Sequence, residues 1–428
     1  MRPKVLQRFQ PELVEESELH PLFINRNSPA YATYDKWLLF ITLLLTVFGA
    51  LMIYSSTSVI TPTLAKKGVI TEFYYFKRHI FTIFVGLVFL FFTYKLGPFY
   101  LKKMALPLLI FSFLLLILVF LPGIGVSAGG AKRWIRLWPS TFQPSELIKL
   151  SMVIFLARYM SDPNYRADSF VSFIKPVFIM MLFQAVILKQ PDFGAAMSLA
   201  FITFAMLFLS GIRLRYLASL SVLAIPILFK LLMEPYRFKR VTCFLDPWKD
   251  PEGCGFQLIQ SFIALGSGGL TGIGLGGSKQ KLSYLPEPHT DFILSIIGEE
   301  FGFIGVSIVM ALFLFLFIKG ISIANKTKDR FVYYLAMGIS LMISLQVLIN
   351  FAVAAGMIPT KGLPLSFISY GGSSLLVNMI AIGILLNISK GGDDRMIEGI
   401  NQKLAIRKKA RRQIYKKSQF KIHDSESL

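Results

Sequence analysis

Charge is scarce in this chain. Only 16% of its 428 residues are charged, and the 24 acids are outnumbered by 45 bases. A soluble protein of this length would carry roughly a quarter charged residues, so a string of soluble domains is excluded. Cysteine is nearly missing: Cys243 and Cys254 are the only two, too few for a disulfide framework or a zinc cluster. Whether those two are bridged stays open at this level. The four His are scattered, without the His-x-x-x-His spacing that aims two imidazoles at one metal. The first 36 residues lack the basic start, short apolar core and small-residue cleavage site of a secretory signal. The first apolar segment is therefore expected to persist as a membrane span.

What is abundant is apolar. Hydrophobic residues make up 54% of the chain and include 40 Phe, gathered in runs of about 20 residues that match a bilayer core. Ten such segments are predicted, at 37–55, 79–96, 104–122, 145–160, 170–188, 194–210, 214–232, 291–318, 331–353 and 372–389. The expected fold is an all-α polytopic membrane protein with ten transmembrane helices and a long extracytoplasmic loop, 233–290, between helices 7 and 8. Residues 1–36 form a cytoplasmic N-terminal segment, 37–390 the membrane domain and 391–428 a basic cytoplasmic tail.

An even number of spans puts both termini on one side, and the basic linkers choose it. Lys95 to Lys103, Arg158 to Arg166, Arg213 to Arg215 and Lys326 to Arg330 fall with the termini, as does the run Arg407-Lys408-Lys409-Ala410-Arg411-Arg412. Cytoplasmic loops collect such residues, so both termini are expected in the cytoplasm. The excess of base is read as topology and contact with anionic membrane lipids, not as a nucleic-acid surface.

The opposite face retains cations against that trend: Lys132, Arg133, Arg136, Arg237, Lys239 and Arg240. An anionic substrate on that face would account for them, as would lipid headgroups. The long loop holds a predicted amphipathic helix at 255–265, then seven glycines within 266–277, which read as a flexible loop able to approach a ligand closely.

Four motifs carry the chemistry. In Tyr284-Leu285-Pro286-Glu287-Pro288-His289-Thr290-Asp291, Asp291 is expected in the first turn of the eighth span, where a helix N-terminus favours the ionised carboxylate. There it can take a proton from a sugar hydroxyl, or serve simply as a capping acid. Glu299 and Glu300 follow on the same helix, and two adjacent buried acids need at least one polar or cationic partner. In Gly130-Ala131-Lys132-Arg133-Trp134-Ile135, Lys132 and Arg133 suit a pyrophosphate, and Trp134 suits a sugar face or the membrane interface. Just beyond, Glu146 and Lys149 are three apart and share a helix face. The third motif is Gln190-Pro191-Asp192-Phe193-Gly194, with its acid in a tight link between spans. The fourth runs from Met357 to Ser374, joining Lys361 to a Pro-, Gly- and Ser-rich segment that includes Ser369 and Ser373. Irregular backbone at membrane depth is tolerated where it lines a cavity.

Taken in order, these motifs, with Phe244-Leu245-Asp246-Pro247-Trp248, resemble the RodA/FtsW (SEDS) family over about residues 37–390. Pro359-Thr360-Lys361-Gly362 and Gly298-Glu299-Glu300 are closer to its cell-division members than to its elongation members. Phe193 and Ala195 depart from the commoner Leu and Thr. The resemblance implies a peptidoglycan glycosyltransferase that polymerises lipid II during septal wall synthesis in the bacterial inner membrane. It also implies partnership with a class B penicillin-binding protein and other division proteins. Asp291 matches the family's catalytic aspartate; Lys132, Arg133, Trp134, Arg237, Arg240, Lys361, Ser369 and Ser373 are candidate substrate contacts. Glu146, Lys149, Asp192, Glu299 and Glu300 are assigned to polar packing of the bundle. No dedicated metal cage is visible, although a divalent cation (Mg or Mn) can share the work of the cations. The competing readings are a lipid II flippase, an elongation-type polymerase and a non-catalytic division scaffold.

Overall fold

The computed structural model describes residues 34–58, 73–128, 130–137, 140–220, 222, 229, 233–281, 285, 289–360 and 362–391. Lys36–Thr57 (α1) starts because Asp35 accepts hydrogen bonds from the free backbone amides of Trp37 and Leu38. Tyr74–Lys95 (α2) and Pro98–Leu118 (α3) follow, separated by two residues; Pro98 opens α3 at a position where no backbone donor is lost. Pro144–Met160 (α4), Phe170–Lys189 (α5) and Phe193–Leu209 (α6) come next. Beyond them lie Pro235–Leu245 (α7), Phe256–Gly268 (α8), Ile293–Lys326 (α9), Arg330–Ala354 (α10) and Gly372–Ser389 (α11).

The protein is a multi-pass membrane protein. Seven of the described helices are long and apolar enough to cross a bilayer: α1, α2, α3, α5, α9, α10 and α11. The helices α4 and α6 have 17 residues each, about 25 Å at 1.5 Å per residue, somewhat short of a typical core. Most of the segment expected at 214–232 lies outside the described residues, as do the N-terminal segment up to residue 33 and the basic tail from 392. Burial separates the centre from the rim. In α10 and α11, 78% of the span is buried, against 22% in α2. The outward Phe84, Phe91 and Phe92 of α2 are more than half exposed, as a lipid-facing surface requires.

Two features differ from the sequence expectations, and a third answers a question the sequence leaves open. The fold is not all helical. The loop at 123–144 contains a three-stranded antiparallel sheet, ordered Gly125–Ala128 (β1), Ala131–Leu137 (β2) and Ser140–Phe142 (β3). Its strands are three to seven residues long, too short for an alternation signal to stand out beside 20-residue apolar runs.

The eighth apolar segment is also broken. At Gly302 the backbone turns to φ 66°, ψ −165°, which divides α9 into two helices end to end. The break leaves carbonyls and amides without helical partners, which lipid could not satisfy. The glycine-rich segment supplies them. Ile273 and Gly274 donate to the carbonyls of Glu299 and Glu300 at 3.0 and 3.1 Å, while Phe303 and Ile304 donate to Gly269 and Leu270 at 2.9 and 3.1 Å. A Cβ at Gly302 would lie 2.4 Å from the Gly272 nitrogen, so the two chains meet at glycine. The segment read as a free, substrate-adapting loop is therefore a plug seated in a helix break.

Finally, Cys243 and Cys254 form a disulfide that closes a short ring around Pro247–Lys249, a turn of 3₁₀ helix. From the helix that leads into the ring, Lys239 pairs with Asp250 at 3.1 Å and holds its carboxyl below the ordinary carboxylate range.

Candidate active site

Four helices begin at one end of the bundle, and a cavity of about 240 Å³ lies among their starts. Arg78, His79 and Thr82 come from the first turns of α2, and Gln143 directly precedes α4. Thr290 precedes α9, while Tyr370 to Ser374 lead into α11. Trp134 and Thr141 reach in from the sheet. Helix N-termini carry partial positive charge that fades within the first turn, so the starts of α4, α9 and α11 beside the cavity favour an anion even before side chains are counted, while α2 contributes from its second and third turns.

Asp291 stands beside this cavity, next in sequence to the lining residue Thr290. It lies in a turn just before α9, which begins at Ile293, and not in the first helical turn as expected. The turn is fixed from three sides. Tyr370 donates its backbone N–H to the His289 carbonyl at 2.8 Å, the Ser369 hydroxyl donates to the Thr290 carbonyl, and Asn350 donates to the Asp291 carbonyl at 2.9 Å. Asn350 also donates to Leu363 at 2.8 Å, tying the turn to the irregular 362–371 segment. A Cβ on Gly362 would come 3.2 Å from a carboxylate oxygen of Asp291. The carboxylate thus faces the segment that carries Lys361, a residue outside the described set.

The expected site residues divide into groups. Trp134 and Ser373 line the cavity, and Ser369 holds the Asp291 turn from below. Lys132 is exposed. A β-bulge between it and Trp134 breaks the strand alternation: Trp134 pairs with Val126 and Lys132 with Ser127, so the two side chains lie on opposite faces of the sheet. Arg133, one position along, points elsewhere and donates to the carbonyls of Gln190 and Pro191. It caps the exit of α5. Arg240 reaches the Thr360 carbonyl at 3.4 Å, adjoining position 361; the side chain of Arg237 lies outside the described residues.

The buried acids are held by the framework. Asp192 accepts from the Ala195 amide at 3.0 Å and from the Gln143 side chain at 2.9 Å, and the Gln143 backbone N–H donates to Ser373 at 2.8 Å. Glu146 and Lys149 pair at 2.8 Å, and Lys149 donates to Gln346, which bonds Ser374 and the Pro364 carbonyl. Glu299 receives the Ser278 hydroxyl and the Lys279 amide, and Glu300 receives Lys281 at 3.2 Å and Ser55 at 2.7 Å. Lys281 also donates to the Gly276 carbonyl at 2.6 Å. These two acids clamp the stretch of chain that runs on toward His289 and Asp291.

Two positions at the site or in its support escape the sequence reading. Arg78 is the cation that lines the cavity, yet it sits in the first turns of an apolar segment and looks like a topological charge. Lys281 follows the glycine-rich stretch with no motif of its own. A signal for it did exist: two adjacent acids on an apolar helix demand a cation somewhere in the chain.

The chain is similar to several known proteins. Residues 36–393 match the family model for FtsW, RodA and SpoVE, described as cell cycle protein. A probable peptidoglycan glycosyltransferase FtsW of Geobacter sp. strain M18 is 43% identical over 358 residues, covering 83% of this chain and 96% of that one. The stage V sporulation protein E of Bacillus subtilis strain 168 is 39% identical over 358 residues, covering 83% and 97%. Among solved structures, a chain from a peptidoglycan synthase complex that coordinates polymerization and crosslinking superposes with a TM-score of 0.69. Its identity is 31%, over 84% of this chain and 98% of that chain.

Proposed function

The chain belongs to the FtsW, RodA and SpoVE family, and from that premise we propose that Asp291 is the general base of a peptidoglycan glycosyltransferase of the cell-division kind. The enzyme lengthens glycan strands from lipid II, a disaccharide-pentapeptide on undecaprenyl pyrophosphate. Asp291 takes the proton from the acceptor's 4-hydroxyl as that oxygen bonds to the donor's anomeric carbon. The bond from that carbon to the pyrophosphate breaks, the configuration inverts, and negative charge collects on the leaving group.

The observation that carries this reading is the placement of Asp291: a carboxylate on a turn pinned by Tyr370, Ser369 and Asn350, beside a cavity bordered by the starts of α4, α9 and α11. A general base needs a fixed direction as well as a suitable pKa. The partial charges at the helix starts, with Arg78 in the wall, suit a departing pyrophosphate, and the exposed Lys132 is assigned to the same task from the sheet. Lys361 and Arg240 are assigned to the same task from the loop over Asp291. Arg133 serves it indirectly, by holding the α5–α6 link from which Asp192 orients Gln143 and through it Ser373. Among the described residues, the one cluster of three metal-ligating side chains is Cys243, Asp250 and Cys254, and two of these are bonded to each other. Among the described residues no such cluster includes Asp291, and no step is assigned to a divalent cation.

Ten spans, with both termini and the tail in the cytoplasm, put the cavity on the extracytoplasmic face. This is the topology that strand synthesis requires. The partners are a class B penicillin-binding protein, which would crosslink the new strands, and other proteins of the division septum. Purified protein given labelled lipid II tests the proposal. A polymerase yields glycan strands, whereas a flippase moves intact lipid between leaflets and a scaffold leaves it unchanged.

A further inference from the structure

At the end of the bundle opposite Asp291, a second cavity of about 350 Å³ lies between the last turn of α4 and the first turns of α5. Its wall carries two cations, Arg166 and Lys175, together with Tyr159, Ser172 and one acid, Asp162. Asp162 accepts the backbone N–H of Asn164 at 2.8 Å and closes a local turn. The charged side chains of the wall sum to one positive charge. None of this belongs to the site described above, which α4 separates from it by its 17 residues, about 25 Å.

What adjoins the cavity identifies the ligand. Val171, Lys175, Phe178 and Leu182 fall on one face of α5 by helical spacing. The three apolar members are 53%, 62% and 46% exposed, so this stripe faces the hydrocarbon. Lys175 sits within it, six residues past the cap Ser169, where a long stem can carry the ammonium back to headgroup level. A polar, net-positive cavity is thus continuous with an apolar track running down the outside of the bundle. Free phosphate would satisfy the cations and leave the track uncovered; a lipid with a phosphodiester headgroup covers both.

We propose that this cavity binds the headgroup of an anionic glycerophospholipid. The phosphodiester sits between Arg166 and Lys175, and one acyl chain lies along Phe178 and Leu182. On the topology proposed above, the lipid comes from the cytoplasmic leaflet.

Native mass spectrometry of the full chain in detergent, with added dioleoyl phosphatidylglycerol, tests this. The wild type should retain the lipid at least roughly tenfold better than R166A/K175A, as the loss of charge-assisted contacts implies. R166K/K175R should retain it. K103A/K326A removes the same charge from exposed positions elsewhere and should bind as the wild type does. Millimolar inorganic phosphate should not displace the lipid. The proposal is overturned if R166A/K175A binds like the wild type, if K103A/K326A loses the lipid equally, or if inorganic phosphate competes it away.

Discussion

Replacing Lys281 by Met should destabilise the protein more than its place in a loop suggests. Its ammonium is 4% exposed, lies 3.2 Å from a Glu300 carboxylate that is itself fully buried, and donates to the Gly276 carbonyl at 2.6 Å. Removing the cation leaves the Ser55 hydroxyl donating to Glu300 and strands a charge in a dry interior. Breaking one side of such a pair costs about 3–5 kcal/mol, two to three and a half powers of ten in the folding equilibrium. The two charges also compensate each other's desolvation, so K281M/E300Q should recover much of the loss. The assay is reversible unfolding of the purified protein in mixed micelles, run as a double-mutant cycle on K281M, E300Q and the pair. A coupling energy near zero, or K281M unfolding within about 1 kcal/mol of the wild type, would refute the clamp.

Gly302→Ala should unfold at markedly lower denaturant, because its Cβ would enter the Gly272 and Leu270 backbone at a left-handed φ; Gly266→Ala, which meets nothing within 4 Å, is the comparison and should be nearly neutral. Arg78→Ala should cut lipid II turnover by about ten- to a hundredfold with normal yield and thermal stability, and the same size of loss is expected for Lys361→Ala; unchanged steady-state rates would remove the residue concerned from the site. Reporter fusions after residues 165 and 400 should give a cytoplasmic signal and one after 250 an external signal, since the linker charges set that orientation. A cytoplasmic signal at 250 would put Asp291 on the wrong side of the membrane.

The helices were largely legible, and the reason is physical. A 20-residue apolar run is a strong signal because nothing else stabilises it in water, and the observed bounds of α5 and α11 fall within a residue of those expected. The pairing of Glu146 with Lys149 was legible from their spacing of three on a helix. What stayed hidden depends on distant partners. The break at Gly302 requires the 269–274 backbone to fill it, and one Gly in an apolar helix gives no notice of that. Arg133 looked like a pyrophosphate ligand because its motif is cationic. Which face of β2 it occupies, and so its bonds to Gln190 and Pro191, depends on sheet register, and these short strands do not reveal register. Asp291 stands out in the sequence by its motif, while the three bonds that hold its turn come from segments about 60–80 positions away.

The central claim is that a single fixed carboxylate drives strand growth. The most direct measurement compares wild type and Asp291→Asn, both purified with unchanged elution and thermal stability, for conversion of labelled lipid II into glycan strands. Asn keeps the size and the backbone bonds of the turn but cannot take a proton. The account predicts strands from the wild type and a rate lower by about 10²–10⁴ in the variant. Strand synthesis by the Asn variant at the wild-type rate would contradict it.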